Sequence, residues 1–178
     1  MAGHSKWANI KHKKAVTDAK RGKLFTKHAK NIQVQSRLCG GDENSPALRT
    51  AIEAAKKDSV PKENIERAVA KGAGVGGEQL EQINYEAYGP GGVAIIISAL
   101  TDNRNRSAQE IRHILSKQGI ELAAPGSAMW AYSTNDGGQT YEPTTSVDLS
   151  DQEIDKLEKI VEALEESDEV DEVFTNAN

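Results

Sequence analysis

The residues whose type and spacing most clearly suggest chemistry are the bases near the start of the chain. The first 30 residues hold nine lysines and arginines against one acid, Asp18. These bases are Lys6, Lys11, Lys13, Lys14, Lys20, Arg21, Lys23, Lys27 and Lys30. Clustered cations bind polyanions, since each one neutralises a phosphate and releases a condensed counterion. The block therefore predicts nucleic acid as the partner.

Part of this basic block lies on a predicted helix, residues 18–38. Five of its bases recur at spacings of 3, 4, 3 and 7 residues and so share one face: Lys20, Lys23, Lys27, Lys30 and Arg37. Phe25 and Ile32 belong to a different, apolar face. A solvated polar face is the alternative, but such faces usually mix acids among their bases. The pattern favours a phosphate-binding face.

The segment before that helix, residues 3–14, combines lysines with an indole, Trp7. It is typical of an arm that becomes ordered on a phosphate backbone. Trp7 has two possible roles, stacking on a base or anchoring the arm on its own domain. With aromatic residues at only 4% of the chain, we expect phosphate contacts and shape to dominate over base stacking.

A second candidate site is the string TDNRNR at 101–106, which lies between a predicted buried strand and a predicted helix. Backbone amides at a helix N-terminus attract anions, so Arg104 and Arg106 are predicted to contact phosphate there. The alternative is a capping loop in which Asp102 pairs with an arginine. The helix itself is predicted over 107–118, with Ser107 and Glu110 as its capping pair.

Several functional classes lack their sequence motifs. HExxH, GxSxG and GxxxxGK[ST] are absent, and the GxGxxG match at 72–77 follows a helix, where a dinucleotide site requires a preceding strand. A lone Cys39 excludes a disulfide framework within the chain and a cysteine zinc site. We therefore predict no catalytic residue, metal, cofactor or small-molecule substrate. No long apolar run or signal peptide is visible, which predicts a protein without membrane contact, and the single cysteine makes a reducing intracellular compartment the expectation.

The order of predicted elements indicates an α+β fold. Residues 1–71 are predicted to form a basic arm plus a three-helix domain, and 72–83 a Gly-rich linker. Residues 84–178 are predicted to form a ferredoxin-like β-α-β-β-α-β domain. In that domain, Ser150 and Glu153 are expected to cap the second helix.

The charge is distributed unevenly between the two ends of the chain. Residues 1–60 carry a net charge of +8, and residues 141–178 carry −11. The acidic end has two interpretations, a solvated helix face or a segment that screens the basic arm.

Six strings in the chain closely resemble the YebC/PmpR family. They are MAGHSKWANIKHKK at 1–14, DAKRGKLFTK at 18–27, PKENIERA at 61–68, YGPGGVAI at 88–95, LTDNRNR at 100–106 and VFTN at 173–176. Members of that family are known as probable transcriptional regulators and, in mitochondria, as translational activators of cytochrome c oxidase. The resemblance implies a non-enzymatic, cytoplasmic protein that binds nucleic acid.

The chain also departs from the family pattern. Family members usually carry a further domain between the strand predicted here at 128–133 and the final helix. This chain has a short predicted hairpin at that place, with a turn at 136–138 that leads into a strand at 140–147. The chain is therefore identified as a short form, and the role of the missing domain cannot be carried over to it.

Two classes of function follow from the resemblance and the basic block. A translation factor would bind ribosomal RNA through the arm and the first helix, without a sequence code. A transcription factor would present a reading helix to the major groove of promoter DNA. Because the first helix lacks an obvious set of base-reading side chains, ribosomal RNA and the ribosome are favoured and promoter DNA is the alternative. An adaptor that binds proteins would leave the basic stripe unexplained.

Overall fold

The computed structural model describes residues 7, 18–74, 80–134 and 140–178. The chain divides into two compact units. The helical unit comprises the described part of 16–83 together with 100–104, and the α/β unit comprises Trp7, 84–99 and the described part of 105–178. A helical region followed by an α/β region is the α+β class that the sequence predicts.

Three helices form most of the helical unit: α1 (Asp18–Leu38), α2 (Pro46–Lys57) and α3 (Lys62–Ala73). α1 has its predicted bounds. It is followed by Gly40 and Gly41, whose φ values of 64° and 83° are left-handed. Glycine adopts this backbone without steric cost, so the pair stops the helix cleanly. The proline that opens α2 is tolerated because the first N–H of a helix has no partner within it.

The apolar sides of the three helices meet in one cluster. Ile32 of α1 and Leu48 and Ala55 of α2 are fully buried, and Ile65 and Val69 of α3 join them. Each large aliphatic side chain removed from water contributes roughly 1.5–3 kcal/mol. This cluster therefore determines which side of α1 faces inward.

α1 and α3 approach each other closely at Gly72. A Cβ added there would lie 2.3 Å from the backbone oxygen of Gln33 and 2.7 Å from the Cβ of Ser36. The Ser36 hydroxyl also donates a hydrogen bond of 2.6 Å to the backbone oxygen of Val69. Only glycine leaves room for this helix pair.

Both ends of the segment predicted as a linker, 72–83, belong to regular elements. Gly72 and Ala73 end α3, and the first strand begins at Glu81. Residues 75–79 lie outside the described residues, so the flexibility of that stretch stays a prediction.

Strands and two further helices make up the rest of the described chain. They are β1 (Glu81–Tyr88), β2 (Ala94–Thr101), α4 (Arg104–Lys117), β3 (Tyr132–Ser133), β4 (Glu142–Pro143), α5 (Asp151–Glu165) and β5 (Val170–Thr175). β1, β2 and β5 form one sheet in the order β1-β2-β5, and β3 pairs with β4 in a separate antiparallel ribbon. β2 and β5 are antiparallel, with Ile96 opposite Phe174.

The strands predicted at 128–133 and 140–147 are much shorter than expected. Residues 129–131 form a 3-10 turn, and strand geometry is confined to β3 and β4. The hairpin turn predicted at 136–138 lies outside the described residues.

β2 is the centre of the α/β unit, because every one of its residues is buried. On one face, Ile95 and Ile97 belong to a cluster with residues of α4 and α5. On the other face, Ala94 and Ile96 belong to a cluster with the aromatic side chains Tyr132, Tyr141 and Phe174. The β3–β4 ribbon thus supplies the second layer over a sheet that would otherwise expose one face.

The predicted capping pair of α4 is wrong. α4 begins at Arg104, so Ser107 lies inside the helix, where it is buried and shares a hydrogen bond of 2.9 Å with the Tyr85 hydroxyl. The Glu110 carboxylate accepts a hydrogen bond from the Ser167 hydroxyl. Both side chains thus have partners distant in sequence, which a local capping pattern cannot reveal.

The capping box predicted for α5 is confirmed. The Ser150 hydroxyl accepts a hydrogen bond from the backbone N–H of Glu153, and the Glu153 carboxylate accepts one of 2.8 Å from the backbone N–H of Ser150. The apolar stripe predicted for this helix is buried as well. Local pattern and tertiary packing agree in this element.

Candidate nucleic-acid interface

The described cations of the basic block lie on the outer side of α1. Lys20, Arg21 and Lys23 are exposed, and Lys27 and Lys30 are partly exposed. We call the four lysines the basic face of α1, because a helix brings residues at these spacings together, whereas Arg21 lies about 100° around the helix from Lys20. Because Ile32 and its neighbours hold the opposite side of the helix in the core, the helix presents these lysines on its outer side.

Two polar contacts fix α1 in this orientation. The His28 Nε2 atom lies 2.6 Å from a carboxylate oxygen of Asp58, in the turn that follows α2. The Arg37 guanidinium donates a hydrogen bond of 3.1 Å to the backbone oxygen of Leu80. The basic face is therefore carried by a helix that is held near both its middle and its end.

Of the three amide side chains of α1, Asn31 is partly exposed and the other two are turned inward. Gln33 and Gln35 are buried. Bidentate recognition of adenine in a major groove depends on an exposed asparagine or glutamine. The outer side of α1 is therefore suited to phosphate contacts, which carry no sequence information directly.

The predicted arm residues are only partly described. Lys6, Lys11, Lys13 and Lys14 lie outside the described residues. Trp7 is described and is only 8% exposed, within the apolar cluster of the α/β unit. A buried indole offers no face to a base, so its position favours the anchoring role over the stacking role.

Arg104 and Arg106 are joined to carboxylates of the protein itself. Arg104 forms two hydrogen bonds of 2.7 Å to the carboxylate of Glu81, and these hold the pKa of that carboxyl below its ordinary value. Arg106 donates hydrogen bonds of 3.0 and 2.8 Å to one oxygen of the buried Glu169. A phosphate would have to share or displace these carboxylates, and the predicted contact of both arginines with phosphate stays a prediction.

One exposed feature was missed by the sequence reasoning, a pair of aromatic side chains in the α/β unit. Trp130 is 62% exposed and Tyr88 is 37% exposed. The indole N–H of Trp130 donates a hydrogen bond of 2.8 Å to the Tyr88 hydroxyl. We call this pair the aromatic platform. Its sequence signal is weak, because a lone tryptophan in a mainly apolar stretch is also typical of a core position.

A buried carboxylate positions the loop before Trp130. Glu86 of β1 accepts hydrogen bonds of 2.5 to 3.0 Å from the backbone N–H groups of Gly126, Ala128 and Met129. The Tyr88 hydroxyl donates to the backbone oxygen of Ser127 in the same loop. The aromatic platform therefore rests on a loop whose backbone is fixed.

Tyr88 also lines a cavity of about 460 Å³. The cavity lies between the turn at 89–90, the segment 118–121 and the outer side of α5, from which Lys156 and Lys159 contribute. Its volume lies within the roughly 300–1,000 Å³ range of small-ligand sites. The aromatic platform and this cavity share one residue, Tyr88.

Two other kinds of site are absent from the described residues. No group of three or more histidine, cysteine, aspartate or glutamate side chains there is placed to hold a metal ion. No helix of this part of the chain is both long and apolar enough to cross a membrane.

Comparisons with protein families match almost the whole chain. Residues 5–75 match the model described as the TACO1/YebC protein N-terminal domain. Residues 80–136 and 131–177 match the model described as the TACO1/YebC second and third domain.

Similar proteins in several bacteria are named "Probable transcriptional regulatory protein". One from Chloroherpeton thalassium is 56% identical over 134 residues, which are 74% of this chain and 54% of that protein. One from Halothermothrix orenii is 51% identical over 93% of this chain and 63% of its own length. The chain thus spans about half to two thirds of these relatives.

A third relative, from Fervidobacterium nodosum, is 38% identical over 235 residues, covering 99% of this chain and 93% of its own length. Those 235 positions exceed the 178 residues of this chain. The relative therefore has internal residues without a counterpart here, as the short form predicts.

A solved structure of similar fold is the crystal structure of a conserved hypothetical protein from Aquifex aeolicus. It has a TM-score of 0.84 and 35% sequence identity, and the match covers 98% of this chain and 97% of that one. The arrangement of a helical region followed by an α/β region is thus shared with a protein whose structure has been solved.

Proposed function

The chain belongs to the TACO1/YebC family, and we propose that it is a nucleic-acid-binding regulator of gene expression that holds its partner through the basic face of α1. The observation that carries this proposal is the row of four exposed or partly exposed lysines along a helix whose other side is buried. Self-repulsion along such a face is relieved when a polyanion binds.

The proposed mode of binding is recognition of the phosphate backbone. Lysine presents a point charge on a flexible stem and does not fix the geometry of a base. The inward orientation of Gln33 and Gln35 supports the same mode. The arm lysines Lys6, Lys11, Lys13 and Lys14 are proposed to extend this contact.

Structured RNA, and ribosomal RNA in particular, is the partner that we favour. Double-stranded RNA is recognised mostly by shape and by contacts to its backbone, which is the chemistry that the basic face of α1 offers. A role in translation follows if that RNA belongs to the ribosome.

Promoter DNA is the second candidate, and the names of the relatives support it. Backbone contacts alone would bind DNA without selecting a promoter. A transcriptional role therefore requires a base-reading element in addition to the basic face of α1.

The test compares two partners of matched sequence, an RNA hairpin and the corresponding DNA duplex, by fluorescence anisotropy. The full chain should bind the RNA more tightly. In cell lysates it should sediment with ribosomes on a sucrose gradient and leave that fraction after RNase treatment. Tighter binding to the duplex, with no sedimentation that depends on RNA, would favour the transcriptional role.

The variant Lys20→Glu/Lys23→Glu/Lys27→Glu tests the site itself. We expect at least about a 100-fold loss of RNA affinity, equivalent to about 3 kcal/mol. The circular dichroism spectrum should not change, because these side chains lie outside the core. Lys56→Glu/Lys57→Glu/Lys62→Glu changes the net charge equally elsewhere and should retain most of the affinity. Equal losses in the two variants would refute a localised interface.

A further inference from the structure

The aromatic platform presents a flat apolar surface to solvent. Trp130 is 62% exposed, although indole is among the side chains that gain most from burial. Its N–H group donates a hydrogen bond to the Tyr88 hydroxyl, so the polar atom of the indole already has a partner. Such a surface is suited to stacking against another flat group.

The platform is also rigid before any partner arrives. The loop that precedes Trp130 is held by three backbone hydrogen bonds to Glu86. Tyr88 is bonded to both the loop and the indole. A partner that stacks here loses little free energy to ordering the protein side of the contact.

The charge beside the platform distinguishes between possible partners. Residues 141–178 hold 13 acids and only two bases, Lys156 and Lys159. Both of these lysines line the cavity that Tyr88 also lines, against one lining carboxylate, Glu121. The one part of this acidic segment that carries cations is therefore the part next to an exposed aromatic pair.

We propose that the aromatic platform and the adjoining cavity form a second nucleic-acid contact that takes an unpaired nucleotide. The base stacks on Trp130, and the phosphate next to it meets Lys156 and Lys159. Stacking on an aromatic side chain beside basic groups is the usual means of holding single strands without sequence preference. A proline-rich peptide would use the aromatic pair but would leave the two lysines without a role.

This inference rests on the proposed function and adds to it the form of the partner. The basic face of α1 binds a helical backbone, and the platform requires a base free of pairing. An RNA that has both a duplex and an unpaired loop, bulge or single strand offers a ligand to each site. The preferred ligand is then a hairpin with unpaired nucleotides, and a perfect duplex is a poorer one.

The chain's own tryptophans allow a direct test. Trp7 is buried and Trp130 is exposed, so an added oligonucleotide that stacks on the platform should quench the exposed component of the fluorescence. The probes are a ten-residue oligouridylate, a hairpin with an unpaired loop and a blunt duplex of equal length. The first two should quench Trp130, and the blunt duplex should not.

Variants then separate stacking from charge. Trp130→Leu should abolish the quenching and weaken binding of the oligouridylate about tenfold, whereas Trp130→Phe keeps an aromatic face and should retain most of the affinity. Lys156→Gln/Lys159→Gln should weaken binding several-fold at low salt. Leu38→Ser, which changes an exposed apolar side chain of the helical unit, should have no effect.

Failure of this inference differs from failure of the proposed function. If Trp130→Leu and Lys156→Gln/Lys159→Gln bind every probe like the wild type, while charge reversal on α1 abolishes binding, the platform has no part and the proposed function stands. Binding that survives charge reversal on α1 as well would remove the proposed function itself. Quenching by a proline-rich peptide but by none of the oligonucleotides would make the platform a peptide site and overturn the inference.

Discussion

α1 and α5 are both amphipathic helices, but they carry net charges of opposite sign. Each helix buries one apolar stripe in the core of its unit. α1 carries six bases and one acid, whereas α5 carries six acids and two bases, Lys156 and Lys159. Exposed charges contribute little to folding, so the fold does not fix the sign of either outer face. Under the proposed function, this difference in charge means that α1 contacts a polyanion along its length, whereas α5 contacts one only at Lys156 and Lys159.

The largest expected effect that separates the two helices is the salt dependence of binding. If about five phosphates are contacted, log K should fall with log salt at a slope of about −3.5 to −4.5. The variant Lys20→Gln/Lys23→Gln/Lys27→Gln should reduce that slope by about 2 to 3, and Lys156→Gln/Lys159→Gln by about 1.8 at most. Anisotropy titrations between about 50 and 200 mM salt measure both slopes. Equal reductions would erase the distinction between the helices.

Two glycines test how firmly the basic face is held by the core. Gly72→Ala places a methyl group against the backbone of α1, and such overpacking should cost about 1–3 kcal/mol. Gly22→Ala is the matched change on α1, where a Cβ meets no atom within 4 Å. It should stabilise the helix by about 0.5–1 kcal/mol. Urea unfolding measures whether each variant gains or loses free energy of unfolding. If Gly72→Ala leaves it unchanged, the close packing of α1 and α3 can relax.

Arg104 and Arg106, near the start of α4, differ in how far their carboxylate partners are buried. In Arg106→Ala, the buried Glu169 loses its hydrogen-bonding partner, and its other oxygen already has none among the described residues. The expected loss of unfolding free energy is about 1–3 kcal/mol. Arg104→Ala breaks an exposed pair with Glu81 and should change stability little.

Affinity measured on the same two variants tests the predicted phosphate contacts. Loss of affinity without loss of stability supports a phosphate contact. Loss of stability alone shows that the arginine serves the fold, in contrast to the basic face of α1.

The smallest expected effect concerns the start of α5. Ser150→Ala should remove about 1 kcal/mol, as the loss of a capping hydroxyl usually does. Ser116→Ala, at an exposed position inside α4, is the control and should be neutral. Thermal unfolding of the two variants checks the difference, and equal stabilities would mean that the cap is dispensable.

The same cap predicts a small acid sensitivity. Hydrogen bonds from the backbone and side chain of Ser150 hold the pKa of Glu153 below its ordinary value of 4.5. A carboxyl with a lowered folded pKa stabilises the protein above its unfolded pKa, and this contribution is lost as the pH falls through the folded value. Glu153→Gln should therefore flatten the loss of stability below about pH 4.5. If Glu153→Gln loses stability at low pH as the wild type does, other carboxyls are responsible for that loss.

The sequence predicted those elements whose signals are local. The bounds of α1 follow from its periodicity and from the glycines after it, and the capping box of α5 requires only Ser150 and Glu153. The start of α4 was missed because Ser107 and Glu110 resemble a capping pair, while their actual partners, Tyr85 and Ser167, lie far away in the chain. Long-range hydrogen bonds of this kind leave no trace in a local pattern.

The candidate site, too, was predictable only where its sequence signal is local. The basic face of α1 was predictable, because a helix with cations at spacings of three and four must place them together. The aromatic platform was not predictable, since it depends on a loop that Glu86 folds back onto β1. Trp7 and Trp130 were equivalent as residue types, and only tertiary packing buries one and exposes the other.

Amide hydrogen exchange in β2 is a reference against which the stability of the variants can be compared. This strand runs between β1 and β5 and is covered on both faces, so its amide protons reach solvent only when the whole unit opens. Amide hydrogens in such a strand exchange at rates that report the global free energy of unfolding. Those of the short β3–β4 ribbon should exchange through smaller local openings. Deuterium uptake at 94–99 thus ranks the variants of the α/β unit on one scale, and uptake at 132–133 shows which of them loosen only the outer layer.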